Sequence, residues 1–367
     1  MKYFLSFLLF LHIVNAKYLD NHSCKECHEK IYEEFESSAH AKSFFTDELH
    51  RKIANKVDKN KYDCAVCHMP AANNLQDIIN GKAKPNKKNT TNSDAISCYF
   101  CHTIAYVKKA HKFNINTKSR QASNYKPTLY GRLTNPEDSD KHSSVKNPIY
   151  GKMACLGCHS HKLNDNNVTI FKAMDKNQDS LECIKCHMPE VNGGVEKLDK
   201  RARGHHASHK FLGIRDAEFR KKGVDINITL SKNNLTVIIK NKMAHPLIIQ
   251  PARAKYLDIK IKRDDKIIWH NYKKSPQEDK KGYFAYNFKR GNKKIIIPSK
   301  ATTSSANNIE AKSTKIVKYK IPSLKKGDKI ELKFWVRLAK DDCAKVIDLK
   351  DKTFLKPMLI KKIIKEY

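Results

Sequence analysis

The chain has 367 residues, with 72 Lys and Arg against 38 Asp and Glu and a formal net charge of +34. With 12 Gly, 12 Pro and 30% charged residues, it is not collagenous, low-complexity or polytopic, and it is long enough for two domains. Of the basic residues 61 are Lys and 11 are Arg, a bias away from the planar fork that phosphate recognition favours, so no nucleic-acid partner is expected. The charge predicts steering toward an acidic docking surface on a partner protein, or toward a small anion.

Residues 1–16 place Lys2 before an apolar run from Tyr3 to Val14 and end on Ala16 in a Val-Asn-Ala context. That is the layout of a secretory signal peptide, too short for a membrane span and followed by the polar Lys17 and Asp20. The expectation is export to the periplasm, with no membrane span in the mature chain.

Ten of the eleven cysteines fall into five copies of Cys-x-x-Cys-His. They are Cys24/Cys27/His28, Cys64/Cys67/His68, Cys98/Cys101/His102, Cys155/Cys158/His159 and Cys183/Cys186/His187. On a helical turn, positions i, i+3 and i+4 share a face, so two thiols can form thioethers to a porphyrin edge while the next imidazole reaches its iron. Zinc ribbons need such pairs matched in twos, and five cannot be. Five covalently bound haem c groups are therefore expected, with the five motif histidines as proximal ligands.

The group on the opposite face of each iron decides between electron transfer and chemistry on a bound small molecule. Eleven further histidines follow residue 16: His22, His40, His50, His111, His142, His161, His205, His206, His209, His245 and His270. Met69 and Met188 directly follow proximal histidines and cannot swing to the far face of the same iron, so they are read as packing against the porphyrin, with Pro70 and Pro189 ending the turn.

Between Lys17 and about Arg220 the motifs recur at intervals of 40, 34, 57 and 28 residues, too close for each to build a side-chain core. Ile31, Tyr32 and Phe35 mark a helix after the first motif and Asp47–Val57 marks another, while 80–94 and 112–148 read as loops. After residue 220 the pattern becomes period two. Ile226–Leu230 and Leu235–Ile239 flank a turn at Lys232–Asn234, and strands are expected at Tyr256–Ile261, Ile267–His270, Lys315–Ile321 and Lys329–Leu338. The fold class expected is α+β multidomain. A mainly helical, loop-rich multihaem domain (17–220) is followed by an all-β, sandwich-like domain (221–367). Cys343 has no base or second ligand near it in sequence and reads as a buried thiol, or as one available for an intermolecular disulfide.

The segment CKECHEKIYEEFESSAHAKS, AISCYFCHTI around the third motif, and the closing pair CLGCHSHKLNDNN and CIKCHMP resemble the multihaem cytochromes related to cytochrome c-554 and hydroxylamine oxidoreductase. The resemblance implies distal ligands at His40, at His142 within Asp138–His142, and at His209 within SHKFLG. In the C-terminal part NKMAHPLIIQPAR is similar to an Asn-x-x-x-His-x-x-Pro element of β-domains appended to such cytochromes, without the usual Pro-Thr-Gly, and it implies a distal role for His245. Nitrite reductases of that superfamily replace the active motif's His by Lys, and hydroxylamine oxidation there needs a Tyr cross-linked to porphyrin. All five motifs here end in His, and no single Tyr can be assigned the second role. The expected function is a periplasmic pentahaem electron carrier exchanging electrons with redox partner proteins. The alternative is reduction of a small nitrogen or sulfur oxyanion at a haem with an open face, with His205 and His206 beside it.

Overall fold

The structure is a computed structural model that describes residues 18–108, 113–117, 126–174, 182–193 and 204–367. The expected signal peptide and His111 lie outside the described residues. Among the described residues, no helix is long and apolar enough to cross a membrane.

The N-terminal part is a string of short helices and strand pairs. Helices α1 (Asn21–Lys25), α2 (Glu29–Ser37), α3 (Glu48–Val57), α4 (Ala65–His68), α5 (Leu75–Ile79), α6 (Thr90–Ser93) and α7 (Cys98–His102) come first. Asp20 caps α1 by accepting from Ser23 N at 2.7 Å, and Asp47 caps α3 by accepting from His50 N at 3.1 Å, each meeting a backbone donor that a helix start leaves unpaired. The strands β1 (Ile104–Lys108) and β2 (Phe113–Asn116) pair antiparallel, and β3 (Thr128–Gly131) and β4 (Ser143–Lys146) pair parallel. Then come α8 (Ile149–Lys152), α9 (Leu156–His159), the antiparallel pair β5 (His161–Leu163) and β6 (Thr169–Lys172), α10 (Cys183–His187), the pair β7 (Glu190–Asn192) and β8 (His205–Ala207), and α11 (Ala217–Lys222).

The helices expected after the first motif and after Asp47 are α2 and α3. The loop expectation for 80–94 and 112–148 is corrected, because α6, β2, β3 and β4 lie there. Four-residue elements are too short to show a period in sequence.

The C-terminal part is β-rich, comprising β9 (Val224–Ser231), β10 (Asn234–Asn241), β11 (Ala254–Arg263), β12 (Lys266–His270), β13 (Tyr283–Arg290), β14 (Lys293–Ile295), β15 (Thr303–Asn307), β16 (Thr314–Lys320), β17 (Lys329–Arg337) and β18 (Met358–Glu366). Between β17 and β18 run α12 (Asp341–Val346) and α13 (Lys352–Leu355), so this part is not all-β as expected. One sheet has the order β16-β10-β9, and the other runs β14-β13-β11-β17-β18, with β12 on β11 and β15 on β13. The β9–β10 hairpin registers Leu230 against Leu235 and Ile226 against Ile239, which puts one face of alternate residues inside. Asp264 and Asp265, both at positive φ, make the two-residue turn from β11 to β12 whose twist suits a hairpin.

Leu235, Val237 and Ile239 of one sheet meet Ile259, Phe284 and Phe334 of the other in one core, and Val168 from the segment before β6 joins it. A second cluster is shared between the two parts. Leu49 and Ile53 of α3 pack on Leu338, Cys343, Ile347 and Phe354. The Glu48 carboxylate accepts from Lys350 N at 3.2 Å and Asp351 N at 2.6 Å, fixing the start of α3 on the C-terminal part. Cys343 is 2% exposed in that cluster, and burial raises its pKa, so it is an inert core thiol and not a candidate for intermolecular bridging.

Away from this seam the N-terminal part has only small apolar clusters, such as Phe44, Ala65, Met69, Ala72 and Ile78. Met69 is fully buried among these side chains. Leu49, 4% exposed, is predicted to cost about 2–5 kcal/mol when replaced by Ala. Denaturant titration measures that loss. Because α3 also carries His50, the spectrum of the group held at the second motif is predicted to change in the same variant.

Candidate haem sites

Four of the five motifs fold as a continuous helical turn. The His68 and His159 amides donate to the carbonyls of Cys64 and Cys155 at 3.0 and 2.9 Å, and α7 and α10 span the third and fifth motifs from first Cys to His. This i to i+4 closure puts both thiols and the imidazole on one face, as the spacing predicted.

The first motif departs from that expectation at Cys27. Helix α1 ends at Lys25, so Cys24 is helical while Cys27 lies beyond the helix, in the turn that leads to α2. The break follows from His28, which caps α2 at φ −124° and ψ 47°, outside the helical region, so that α2 starts afresh in a new direction. The Cys24 carbonyl still accepts from both Cys27 N at 3.3 Å and His28 N at 2.9 Å. That shared acceptor closes the turn without a continuous helix. None of the ten motif cysteines, Cys27 included, is tied up in a disulfide.

Every motif histidine faces a histidine from elsewhere in the chain. Ring centroids are 6.5 Å apart for His28 and His142, 6.2 Å for His102 and His209, 5.9 Å for His159 and His40, and 6.4 Å for His187 and His245. Two metal–imidazole bonds of about 2 Å, plus roughly 1 Å from nitrogen to ring centre on each side, span about 6 Å. These four pairs therefore fit an iron between them. All four distal candidates, His40, His142, His209 and His245, are brought opposite a motif histidine.

The fifth pair is different. His50 faces His68 with centroids 4.5 Å apart, too close for an iron unless His50 moves outward. His50 was one of eleven histidines in sequence and carried no family element to single it out. The usable signal was its place in the first turn of a helix behind a capping Asp.

The orientation of these rings follows from their Nδ1 partners. Nδ1–H donates to Ser43 O in His68 (2.8 Å), Tyr130 O in His102 (2.7 Å), Leu212 O in His187 (2.5 Å), Ala207 O in His209 (2.8 Å) and Pro246 O in His245 (2.9 Å). Each bond fixes the tautomer and leaves Nε2 with a lone pair for a metal. His50 instead has Nδ1 on the Asp47 carboxylate at 2.5 Å, a partner that raises ligand basicity. In His40, Nδ1 is buried with no hydrogen-bond partner. Burial pushes His40 down to about 3 and His68, His159, His209 and His245 to about 4, and it lowers His102 and His142. All are thus neutral near pH 7, the form that coordinates.

The segments that carry the distal rings are held by specific contacts. Ser38 caps the end of α2 and accepts from His40 N at 3.2 Å. The buried Glu34 carboxylate of α2 accepts from His209 N at 2.8 Å and pairs with His206 Nε2 at 3.1 Å. His206 Nδ1 donates to Gly193 O at 2.6 Å, so both its nitrogens are engaged, and His205 is exposed. Asn241 is fully buried. Its amide donates to His245 O at 2.9 Å and Glu310 O at 2.9 Å while its carbonyl accepts from Met243 N at 3.0 Å, which shapes the loop that presents His245. That explains the Asn-x-x-x-His spacing. Phe211, at φ 50°, wedges its ring 4.4 Å from His40 and 5.9 Å from His209.

Contacts between cysteines of different motifs give their spatial order. The thiols of Cys24 and Cys98, of Cys67 and Cys158, and of Cys155 and Cys183 lie close enough to perturb each other's ionisation, and Cys101 lies close enough to act on Cys155 and Cys158. The order is first–third–fourth, with the second and fifth both joined to the fourth. Asn21 makes the first link rigid: its side chain accepts from Cys98 N at 2.9 Å and donates to Asp94 O at 3.4 Å. Gly157, inside the fourth motif, is required by a close approach, since a Cβ there would collide with the Asn114 side chain.

The fold agrees with this chemistry. The chain is similar to a penta-heme cytochrome c552 from Thermochromatium tepidum, with 19% identity and a TM-score of 0.76 over 96% of this chain and 100% of that one. A candidate beta-galactosidase from Bacteroides fragilis, at 12% identity over 39% of this chain and 15% of its own, has a TM-score of 0.17 and carries no argument. No curated protein matches. Motifs and fold together define a multihaem c-type cytochrome, which holds haem through thioether bonds. Residues 23–103, which contain the first three motifs, match the family described as Cytochrome c554 and c-prime.

Two spectroscopic outcomes follow. The planes of His40 and His159 are crossed at 73°, whereas the other four pairs lie at 21–40°. Crossed imidazoles leave two iron d-orbitals nearly degenerate and give a strongly axial low-spin EPR signal, while near-parallel ones give rhombic signals. One strongly axial and several rhombic signals are predicted. In His142→Ala one rhombic signal is predicted to convert to high spin; an unchanged spectrum removes His142 from the ligands.

Proposed function

We propose that the chain is a periplasmic pentahaem electron carrier. Residues 1–16 would direct export, 17–220 would carry five haems, and 221–367 would be a β-domain that closes the array. The observation that carries this reading is the pairing of each motif histidine with a second histidine, because a haem ligated on both faces exchanges electrons without binding a substrate. When bound, each haem supplies an iron that cycles between ferric and ferrous.

The residues of the chain position the irons and tune them. Backbone carbonyls orient the imidazoles, the short turns fix the thioether edges, and the cysteine contacts bring neighbouring attachment edges together. Cys64 and Cys186, at the two arms that leave the fourth motif, are exposed, so both arms reach the surface where a partner can dock. The +34 charge favours an acidic partner held in a small transient interface.

The second reading, a reductase of a nitrogen or sulfur oxyanion, has one observation in its favour. His50, with 35% of its side chain exposed and only 4.5 Å from His68, is the distal ring that must move for its site to close. If it stays on Asp47, the site on His68 is the one left open.

Stopped-flow mixing of fully reduced protein with nitrite, hydroxylamine or sulfite tests the choice. The carrier reading predicts no re-oxidation by these anions, and fast re-oxidation by an acidic redox protein that slows as salt rises. Stoichiometric re-oxidation by one of the anions would transfer the assignment to the reductase.

A further inference from the structure

The run His209-Lys210-Phe211-Leu212, which follows β8, touches three candidate haem sites. His209 is the ring opposite His102. Phe211 sets its ring edge-on to His40, the ring opposite His159, with centroids 4.4 Å apart. Leu212 holds the fifth motif's histidine from two sides, its N–H donating to His187 O at 2.9 Å and its carbonyl accepting from His187 Nδ1 at 2.5 Å. Whatever fixes this backbone therefore acts on the third, fourth and fifth motifs together.

Phe211 has φ 50°, in the left-handed region that a bulky aromatic residue rarely enters, and such a conformation persists only where its neighbours over-determine it. On one side the neighbour is Leu212, clamped to His187. On the other it is the run's first residue, His209, whose amide donates to the Glu34 carboxylate at 2.8 Å. The same Glu34 oxygen faces His206 Nε2 at 3.1 Å, and His206 Nδ1 donates to Gly193 O at 2.6 Å. Glu34 is 8% exposed, so these contacts form where water competes little. One turn earlier on the same face of α2, Lys30 Nζ donates to Asn192 O at 3.1 Å, so α2 meets both strands of the β7–β8 pair. Helix α2 is itself framed by ligand candidates, with His28 capping its start and Ser38 at its end accepting from His40 N.

We propose that Glu34 is a positioning residue for two haems at once: it holds His209 on the iron of the third motif and keeps Phe211 wedged against His40, the distal ligand of the fourth. One oxygen makes both contacts, so its removal leaves the His209 amide and the His206 ring without their buried partner. Phe211 is then free to return to an ordinary φ, which withdraws its ring from His40 and draws His209 off its iron. The Leu212 clamp on His187 has its own two bonds and does not depend on Glu34. The inference rests on the reading of the histidine pairs as axial ligands.

Low-temperature EPR of the oxidised, haem-loaded protein tests it. His209→Ala first assigns the rhombic signal of the His102 site, as the one that it converts to high spin. In Glu34→Ala the same signal is expected to convert to high spin, amounting to one haem per chain, and the axial signal of the crossed His40/His159 pair to become less axial. The rhombic signals of the His28 and His187 sites stay in place. Glu34→Gln, which keeps an oxygen acceptor at the same reach, retains the wild-type spectrum. Glu34→Asp, one methylene too short, gives the alanine result and covers the case in which the alanine variant does not accumulate. Phe211→Asn, which tolerates the left-handed backbone but lacks the ring, alters the axial signal alone. A low-spin His102 site in the alanine or aspartate variant overturns the proposal, and so does an equal change in every signal, which marks a merely structural role. An unchanged spectrum in His209→Ala would instead defeat the ligand pairing on which it rests.

Discussion

In the proposed ligation, the N-terminal part of this molecule depends on the closure of one imidazole against another across an iron. Its side chains form only small apolar clusters, and its helices are mostly one turn long, well below the length at which a helix holds by itself. What joins the segments is the set of histidine pairs: His28 with His142, His102 with His209, His159 with His40, His187 with His245, and His68 with His50. Each pair links positions far apart or on separate elements, so ligation as proposed would close long loops and turn binding free energy into folding free energy. The porphyrins would then take the place of a core.

The C-terminal part has the opposite economy, with a side-chain core of its own between two sheets. Its role toward the haem sites follows from what it holds in place. The Asn241-shaped loop presents His245 to His187, and the cluster around Leu49 and Phe354 seats the helix that carries His50. In the proposed ligation the two arms that leave the fourth motif are therefore both closed with help from residues beyond 220, whereas the first and third motifs are closed by His142 and His209 from the N-terminal part. The β-rich part is a clamp on one end of the array.

Much of this was legible in the sequence. Four of the Cys-x-x-Cys-His turns follow from spacing alone, and the period-two runs at 226–239 and 256–261 became strands of the expected hairpin and sheet. The first motif kept its closure but not its helix, because spacing does not reveal that His28 turns the chain and leaves Cys27 outside α1. His40, His142, His209 and His245 were marked by the elements around them. His50 was not, because an imidazole on the first turn of an amphipathic helix looks like any surface histidine until the partner ring is seen. The branching order was also out of reach, since intervals along the chain carry no information about which attachment edges meet. Strands β13, β14, β15 and β18 were missed for different reasons: β13 buries the consecutive Phe284, Ala285 and Tyr286 and so shows no clean alternation, β14 and β15 are short, and the Lys-rich Met358–Glu366 masks its alternation.

The central claim is that every haem is closed by two histidines. Low-temperature EPR spin quantitation of the oxidised protein, with haem content fixed by intact mass, tests it most directly. The account predicts five haems per chain, all low-spin, with His50 moved outward to complete the site on His68. A high-spin signal amounting to one haem per chain would contradict it and would leave that iron open.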